Sequence, residues 1–339
     1  MERIDPAIFE QDEPFKVEGY IDIPTDDGGV DLPVYVLQNG RSPRITFIGA
    51  QHSCEYSGAD ALMTLIQDFR DTAPSSVKGS IVCLPVANVP GFPVRALNVS
   101  QFDGSNLNRS YPGDPQGTVS ERIAHAIWSI AKTGNYVLDL HGGDMTEDVM
   151  QYAEIHLSPE EAVNRTSLEL AACFDLDVAL FSVAGTDYAY PDFRSLYGLA
   201  QENGIPAAIV EAGSSGISDA KSLQYFREGI RNVLAKFGFM ALDEGRSLPE
   251  GRSIWTTMGV SCITRANTRG IFKSHVKAGE RVCKGQLIGQ ILDYFGNVLD
   301  SIEAPRNGIV SLVQSAMGKD ERDMLYMVID TDNGETADL

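Results

Sequence analysis

The chain has 339 residues, of which 43% are hydrophobic and 22% charged, and carries a formal net charge of −20. That length suits one large domain plus a smaller one in an ordinary globular protein, and the acidic balance argues against nucleic acid or an anionic membrane as partner. No apolar run approaches the ~20 residues of a membrane helix. The start, MERIDPAIFEQDEPFK, is too acidic and polar for a secretory signal, and five scattered cysteines point to reduced thiols in a cytoplasmic protein rather than to disulfides or a cysteine zinc site.

Residues 18–50 read as strands in the runs EGYIDIP, VDLPVYVLQ and RITFIGA. A helix follows over about 57–70, with Ala59, Leu62, Met63, Ile66 and Phe69 at helical spacing. SIVCLPV is a buried strand. Residues 88–117 then form a long loop rich in Gly, Pro and Asn, of the kind that is usually functional or disordered. Thr118-x-x-Glu121 opens a helix as a capping box, with Ile123, Ile127 and Ile130 on one face. NYVLDL is a strand, Ser158-Pro159-x-Glu161 is expected to start the next helix in the same way, and IPAAIV is a short apolar strand. A helix over about 219–237 buries Leu223, Phe226, Ile230, Val233 and Phe237 and stops at Gly238.

This alternation predicts an α/β fold, a sheet with helices on both faces. From about 245 the texture changes to short β runs broken by glycine roughly every 8–12 residues, which reads as an all-β sandwich or barrel. The expected organisation is therefore a catalytic α/β domain over 1–245 and a C-terminal β domain over 246–339, with the boundary in the polar DEGRSLPEGRS. No Gly-rich phosphate loop is present; GGDMTED lacks the lysine and spacing of one.

Three strands end in polar residues that are costly to place there. TFIGAQH leads into His52 and Glu55, NYVLDLH ends in His141, and IPAAIVEAG carries Glu211. In α/β sheets ligands bind just outside the carboxyl ends of strands. Two histidines and a glutamate match the three-ligand set of a catalytic zinc, which keeps a fourth position open, and Glu211 would be the unbound carboxylate acting as general base. Each residue alone has a plainer reading: His141 as a hydrogen-bonded structural histidine, Glu211 as a salt-bridged core carboxylate, Cys54 as a small filler. His125, His156 and His275 read as surface or packing residues.

GAQHSCE, FDGSNLNRSYPG, DLHGG and VEAG occur in that order and, with GERVCKGQLIGQI and SIEAPRNGIV in the tail, resemble the succinylglutamate desuccinylase/aspartoacylase family, itself similar to zinc carboxypeptidases. The resemblance implies a mixed sheet flanked by helices, one zinc per chain on His52, Glu55 and His141, Glu211 as base, and Asn108 and Arg109 gripping the substrate carboxylate. An arginine fork suits that last task. It also admits a homo-oligomer. The chain departs from the family at Ser53 and Cys54, and lacks an arginine over 98–101 that relatives use to steady the oxyanion; Arg95 and Asn98 are the nearest substitutes. SIEAPRNGIV also resembles biotinyl and lipoyl carrier domains, but no modifiable lysine motif accompanies it. The expected activity is a zinc-dependent amidohydrolase that deacylates an N-acyl amino acid. A metallocarboxypeptidase acting on short peptides and a non-catalytic binding protein are the alternatives.

Overall fold

A computed structural model describes residues 2–26, 28–97, 99–182, 194–241, 253–258, 261–332 and 334–338. The boundary expected near 245 and the candidate Asn98 lie outside the described residues.

The first half contains β1 (Phe15–Ile23), β2 (Val30–Asn39), β3 (Arg44–Gly49), α1 (Tyr56–Asp68), β4 (Gly79–Leu84), α2 (Val119–Ala131), β5 (Tyr136–His141) and β6 (Glu147–His156). There follow α3 (Glu161–Ala171), β7 (Val178–Ser182), α4 (Leu196–Glu202), β8 (Ala207–Ser214) and α5 (Ala220–Lys236). The remainder is all strand: β9 (Ser253–Met258), β10 (Ser261–Arg265), β11 (Gly270–Ser274), β12 (Arg281–Val282), β13 (Leu287–Leu292) and β14 (Val298–Glu303). It ends with β15 (Gly308–Gln314), β16 (Gly318–Lys319), β17 (Met324–Asp330) and β18 (Gly334–Asp338). Among the described residues no helix is long and apolar enough to cross a membrane.

The sheet is mixed. Its order runs β1-β2-β4-β3-β5-β8-β6, with β4, β3, β5 and β8 mutually parallel, β2 antiparallel to β1 and β4, and β6 antiparallel to β8. Alternating strand residues feed two cores, one on each face. Ala61, Leu62 and Leu65 of α1, Leu168 of α3 and Phe226, Ile230 and Val233 of α5 cover one face. Ile123, Ile127 and Ile130 of α2 and Leu196 and Ala200 of α4 cover the other.

The long β6 joins the two halves of the chain. Its start pairs with β15, Leu312 opposite Val149, and its end pairs with β7, which in turn pairs with β9. The β-rich tail is thus bonded into the same sheet, with its own core around Phe272, Ile288, Ile302 and Tyr326.

The capping box forms as the spacing predicts: Thr118 accepts from the Glu121 N–H and Glu121 reaches back to Thr118 N at 2.8 Å, an arrangement that contributes about 1 kcal/mol. Ser158 does not cap α3. Its hydroxyl accepts from Glu160 N at 3.3 Å, and the helix starts at Glu161 with Glu160 as an N-cap that makes no side-chain bond. The local Ser turn competes with the cap and wins.

Candidate active site

The βα turn after β3 starts with a forced conformation. Ala50 holds φ at 49°, a region that residues with a Cβ rarely enter and that recurs at functional turns. From there residues 51–55 rise to α1, whose N-cap is Glu55. The helix can lie close against β5 because residue 58 is glycine: a Cβ there would meet Leu140 Cβ and the Leu140 carbonyl oxygen at 2.6 Å. That contact sets the Glu55 side chain beside His141, the last residue of β5.

His52, Glu55 and His141 come together with their ligand atoms within 4.8 Å of one another. Glu55 faces both rings, His52 Nδ1 at 2.7 Å from Oε1 and His141 Nδ1 at 2.9 Å from Oε2, while Gly142 N–H donates to Oε2 at 3.2 Å. Cys54 stays outside the trio. It is buried, its thiol is pushed up by burial, and Sγ lies 3.2 Å from the Ala96 carbonyl. His156 is buried at the end of β6, His125 is half-buried on α2 and His275 is exposed; none of them joins the trio.

The far nitrogen of each ring meets an oxygen acceptor. His52 Nε2 is 3.2 Å from Asn106 Oδ1. His141 Nε2 is 3.1 Å from Asp139 Oδ2, though out of line for a well-formed hydrogen bond. Asp139 is itself held in a buried chain: Gln51 Nε2 donates to it, and the Tyr111 hydroxyl donates to Gln51 Oε1 at 2.6 Å. An acceptor behind each ring favours the proton on Nε2 and leaves both Nδ1 lone pairs converging on a carboxylate. Lone pairs at these distances repel unless a cation stands among them or the rings take up second protons. Two imidazoles and one carboxylate, each with an oxygen or N–H behind it, are a donor set that fits a divalent metal with a position left open.

The electrostatics report the same demand for positive charge. Burial would raise the Glu55 carboxyl, but the two imidazoles facing it prevail and hold it at about 2. Burial would lower His141, but Asp139 and Glu55 prevail and lift it well above its usual value.

Glu211 sits next to His141 in the register of the parallel strands β8 and β5. Burial pushes its carboxyl well above the usual range; His141 draws it down, and Glu55, Glu154 and Glu147 add to the rise. Asn108 and Arg109 line the same cavity, of about 330 Å³, as the trio and Glu211. They form a short 3-10 turn that Asn106 caps. Arg109 Nη1 donates to the Asn108 carbonyl at 2.7 Å, and the Asn108 side-chain oxygen accepts from Leu196 N–H at 3.4 Å. The structure therefore brings all six site residues named from sequence to one cavity, and leaves Arg95 off its lining.

Sequence reasoning missed several others. Asp139 was legible in principle, because it precedes His141 by two positions and so shares its strand face. Asp144, Glu147, Glu154 and Arg265, which line the same cavity, carried no local signal.

Residues 41–237 match the model of the succinylglutamate desuccinylase/aspartoacylase catalytic domain. The N-alpha-acetyl-L-2,4-diaminobutyric acid deacetylase of Halomonas elongata is 31% identical over 290 residues, 84% of this chain and 81% of that protein. The product-bound ectoine utilization protein of Ruegeria pomeroyi superposes with a TM-score of 0.82 at 26% identity, covering 94% of this chain and 97% of that one. A succinylglutamate desuccinylase/aspartoacylase from Rhodobacter sphaeroides shares the fold at a TM-score of 0.80 and 24% identity, covering 96% and 98%.

Proposed function

The chain belongs to the succinylglutamate desuccinylase/aspartoacylase family, and on that premise we propose that it is a zinc-dependent hydrolase that removes an acetyl or similarly small acyl group from an N-acylated amino acid. The observation that carries this reading is the convergence of His52, Glu55 and His141 with Glu211 in register beside them. A zinc ion on the trio would supply a Lewis acid for the acyl carbonyl and for the attacking water.

The remaining chemistry belongs to side chains. Glu211 is a buried carboxylate whose affinity for a proton is raised, which suits a group that takes a proton from water and hands it to the departing amine. Arg109 and the Asn108 amide hold the amino-acid carboxylate and so fix the scissile bond. Asp139 and Asn106 behind the two rings keep the histidines turned inward.

The leaving amino acid in this reading carries a second amine. The Halomonas elongata relative is named for a diamino acid, and Asp144 and Glu154 give this cavity carboxylates that a side-chain ammonium needs. The test is a panel of N-acetyl amino acids with cationic, neutral and acidic side chains, incubated with zinc-loaded protein and read as free amine and free acetate. Turnover confined to cationic members supports the full reading. Equal turnover across the panel removes the side-chain assignment, and no turnover of any member removes the deacylase.

A further inference from the structure

The cavity has two walls of different origin. The trio, Arg109 and Glu211 come from the first 211 residues, whereas Ile263, Arg265, Leu312, Met324 and Met327 are added to the same lining by β10, β15 and β17. Among the described lining residues of that second wall, Arg265 is the one charged side chain.

Its placement is built rather than incidental. The register between β10 and β17 slips at this residue: Thr264 pairs with Tyr326 but Arg265 pairs with Met324, so Leu325 has no partner. Such a bulge re-aims the side chain beside it, and bulges recur next to active sites. Arg265 Nη1 then donates to the Arg322 carbonyl at 3.1 Å. Arg322 itself sits at φ 72°, a strained conformation for a residue with a Cβ. Two backbone bonds of 2.9 Å, Arg322 N–H to Ala266 O and Ala266 N–H to Asp323 O, lock that turn. A strained, doubly bonded turn thus orients one guanidinium at the mouth of the cavity.

Charge supplies the reason to put it there. The described lining holds five carboxylates (Glu55, Asp144, Glu147, Glu154 and Glu211) against two arginines, 109 and 265. Arg109 and Arg265 are thus the two permanently charged cations that the described lining offers to a substrate carboxylate. Arg95, the candidate suggested by sequence order, is exposed and not part of the lining.

Resting on the N-acyl amino acid reading above, we infer that Arg265 is a specificity-determining residue: it grips the substrate carboxylate from the C-terminal wall while Arg109 grips it from the other, so that the C-terminal strands complete the binding site. The carboxylate is then pinned between two guanidinium groups, and the acidic wall is left for the positively charged end of the substrate.

The experiment compares wild type, Arg265→Gln and Arg265→Lys on N-acetyl-2,4-diaminobutyrate and on the same compound with its carboxylate capped as a primary amide. Kinetics are read alongside calorimetric binding. Loss of one charged hydrogen-bonding partner is expected to raise KM and Kd for the acid by about 10–100-fold, to leave kcat within about threefold and to leave the capped amide unchanged, with Arg265→Lys intermediate because it keeps the charge but not the fork. Melting temperatures should agree, since the side chain is exposed. Equal losses on acid and amide, or wild-type affinity for the acid in Arg265→Gln, overturn the inference. A wild type that hydrolyses nothing sinks the deacylase reading by itself. The binding comparison still judges Arg265 in that case: acid-selective weakening upholds it, and no weakening, or no binding of the acid to wild type, overturns it.

Discussion

His141 and Glu211 stand side by side in the register of two neighbouring parallel strands, each near the carboxyl end of its strand. The pairing fixes the distance between the last histidine of the trio and the carboxylate proposed as base by backbone hydrogen bonds. Neither residue depends on a loop for its position, and a site built on strands is more precise than one built on loops.

Metal binding should depend on what lies behind the histidines as well as on the histidines. Elemental analysis of reconstituted protein is expected to give about one zinc per chain, in line with a mononuclear catalytic site, and His141→Ala should abolish it. Asp139→Asn removes no ligand but loosens the ring from behind. It should weaken zinc affinity about 10–100-fold, as read by competition with a chelator. Unchanged affinity in Asp139→Asn would make Asp139 a core residue only.

Glu211→Gln keeps the shape and cannot accept a proton. It should retain zinc and lose on the order of 10²–10⁴-fold in kcat. Loss of zinc would instead mark Glu211 as a ligand, and near-normal turnover would leave the base unassigned.

Arg109→Lys keeps the charge and gives up the two-pronged contact. Activity on substrates with a free carboxylate should fall strongly while their amide-capped analogues change little. Parallel losses would identify Arg109 as a loop anchor, consistent with its bond to the Asn108 carbonyl.

Leu312, Met324 and Met327 add apolar side chains to the lining of the cavity of about 330 Å³ that holds the trio, so chain length should matter. An N-acetyl amino acid should be hydrolysed far faster than peptides of increasing length that end in the same residue. Cleavage of the longest peptides at a similar rate would favour a carboxypeptidase.

Burial, with the Asp144 and Glu55 charges nearby, pushes the Glu147 carboxyl from an ordinary value of 4.5 up to about 8. The folded protein therefore holds that proton more tightly than the unfolded chain does, and ionising the group costs stability. In metal-stripped protein the unfolding free energy should decline as pH rises through the window from 4.5 to 8, and Glu147→Gln should flatten that decline. Denaturant titrations at several pH values check it; a slope identical in both proteins would assign the pH dependence elsewhere.

Sequence alone determined the parts of this protein that are local. The change from the β-rich apolar run RITFIGA to helical spacing after GAQHSCE placed His52 and Glu55 on a βα turn, the alternation of strands and helices set the α/β class, and Thr118 with Glu121 marked the start of α2. Each of these follows from residues within a few positions of one another. Even locally a signal can fail where two short-range bonds compete, as Ser158 shows by turning toward Glu160 instead of capping α3. Tertiary structure decided what lies between distant segments. The pairing of Val149 with Leu312, the bulge that aims Arg265 into the cavity, and the acidic wall of Asp144, Glu147 and Glu154 all depend on strand register between segments far apart in the chain. Register is chosen by which apolar faces pack together, as Val149, Leu312 and Met327 do here, and a one-residue slip would turn every one of these side chains to the opposite face.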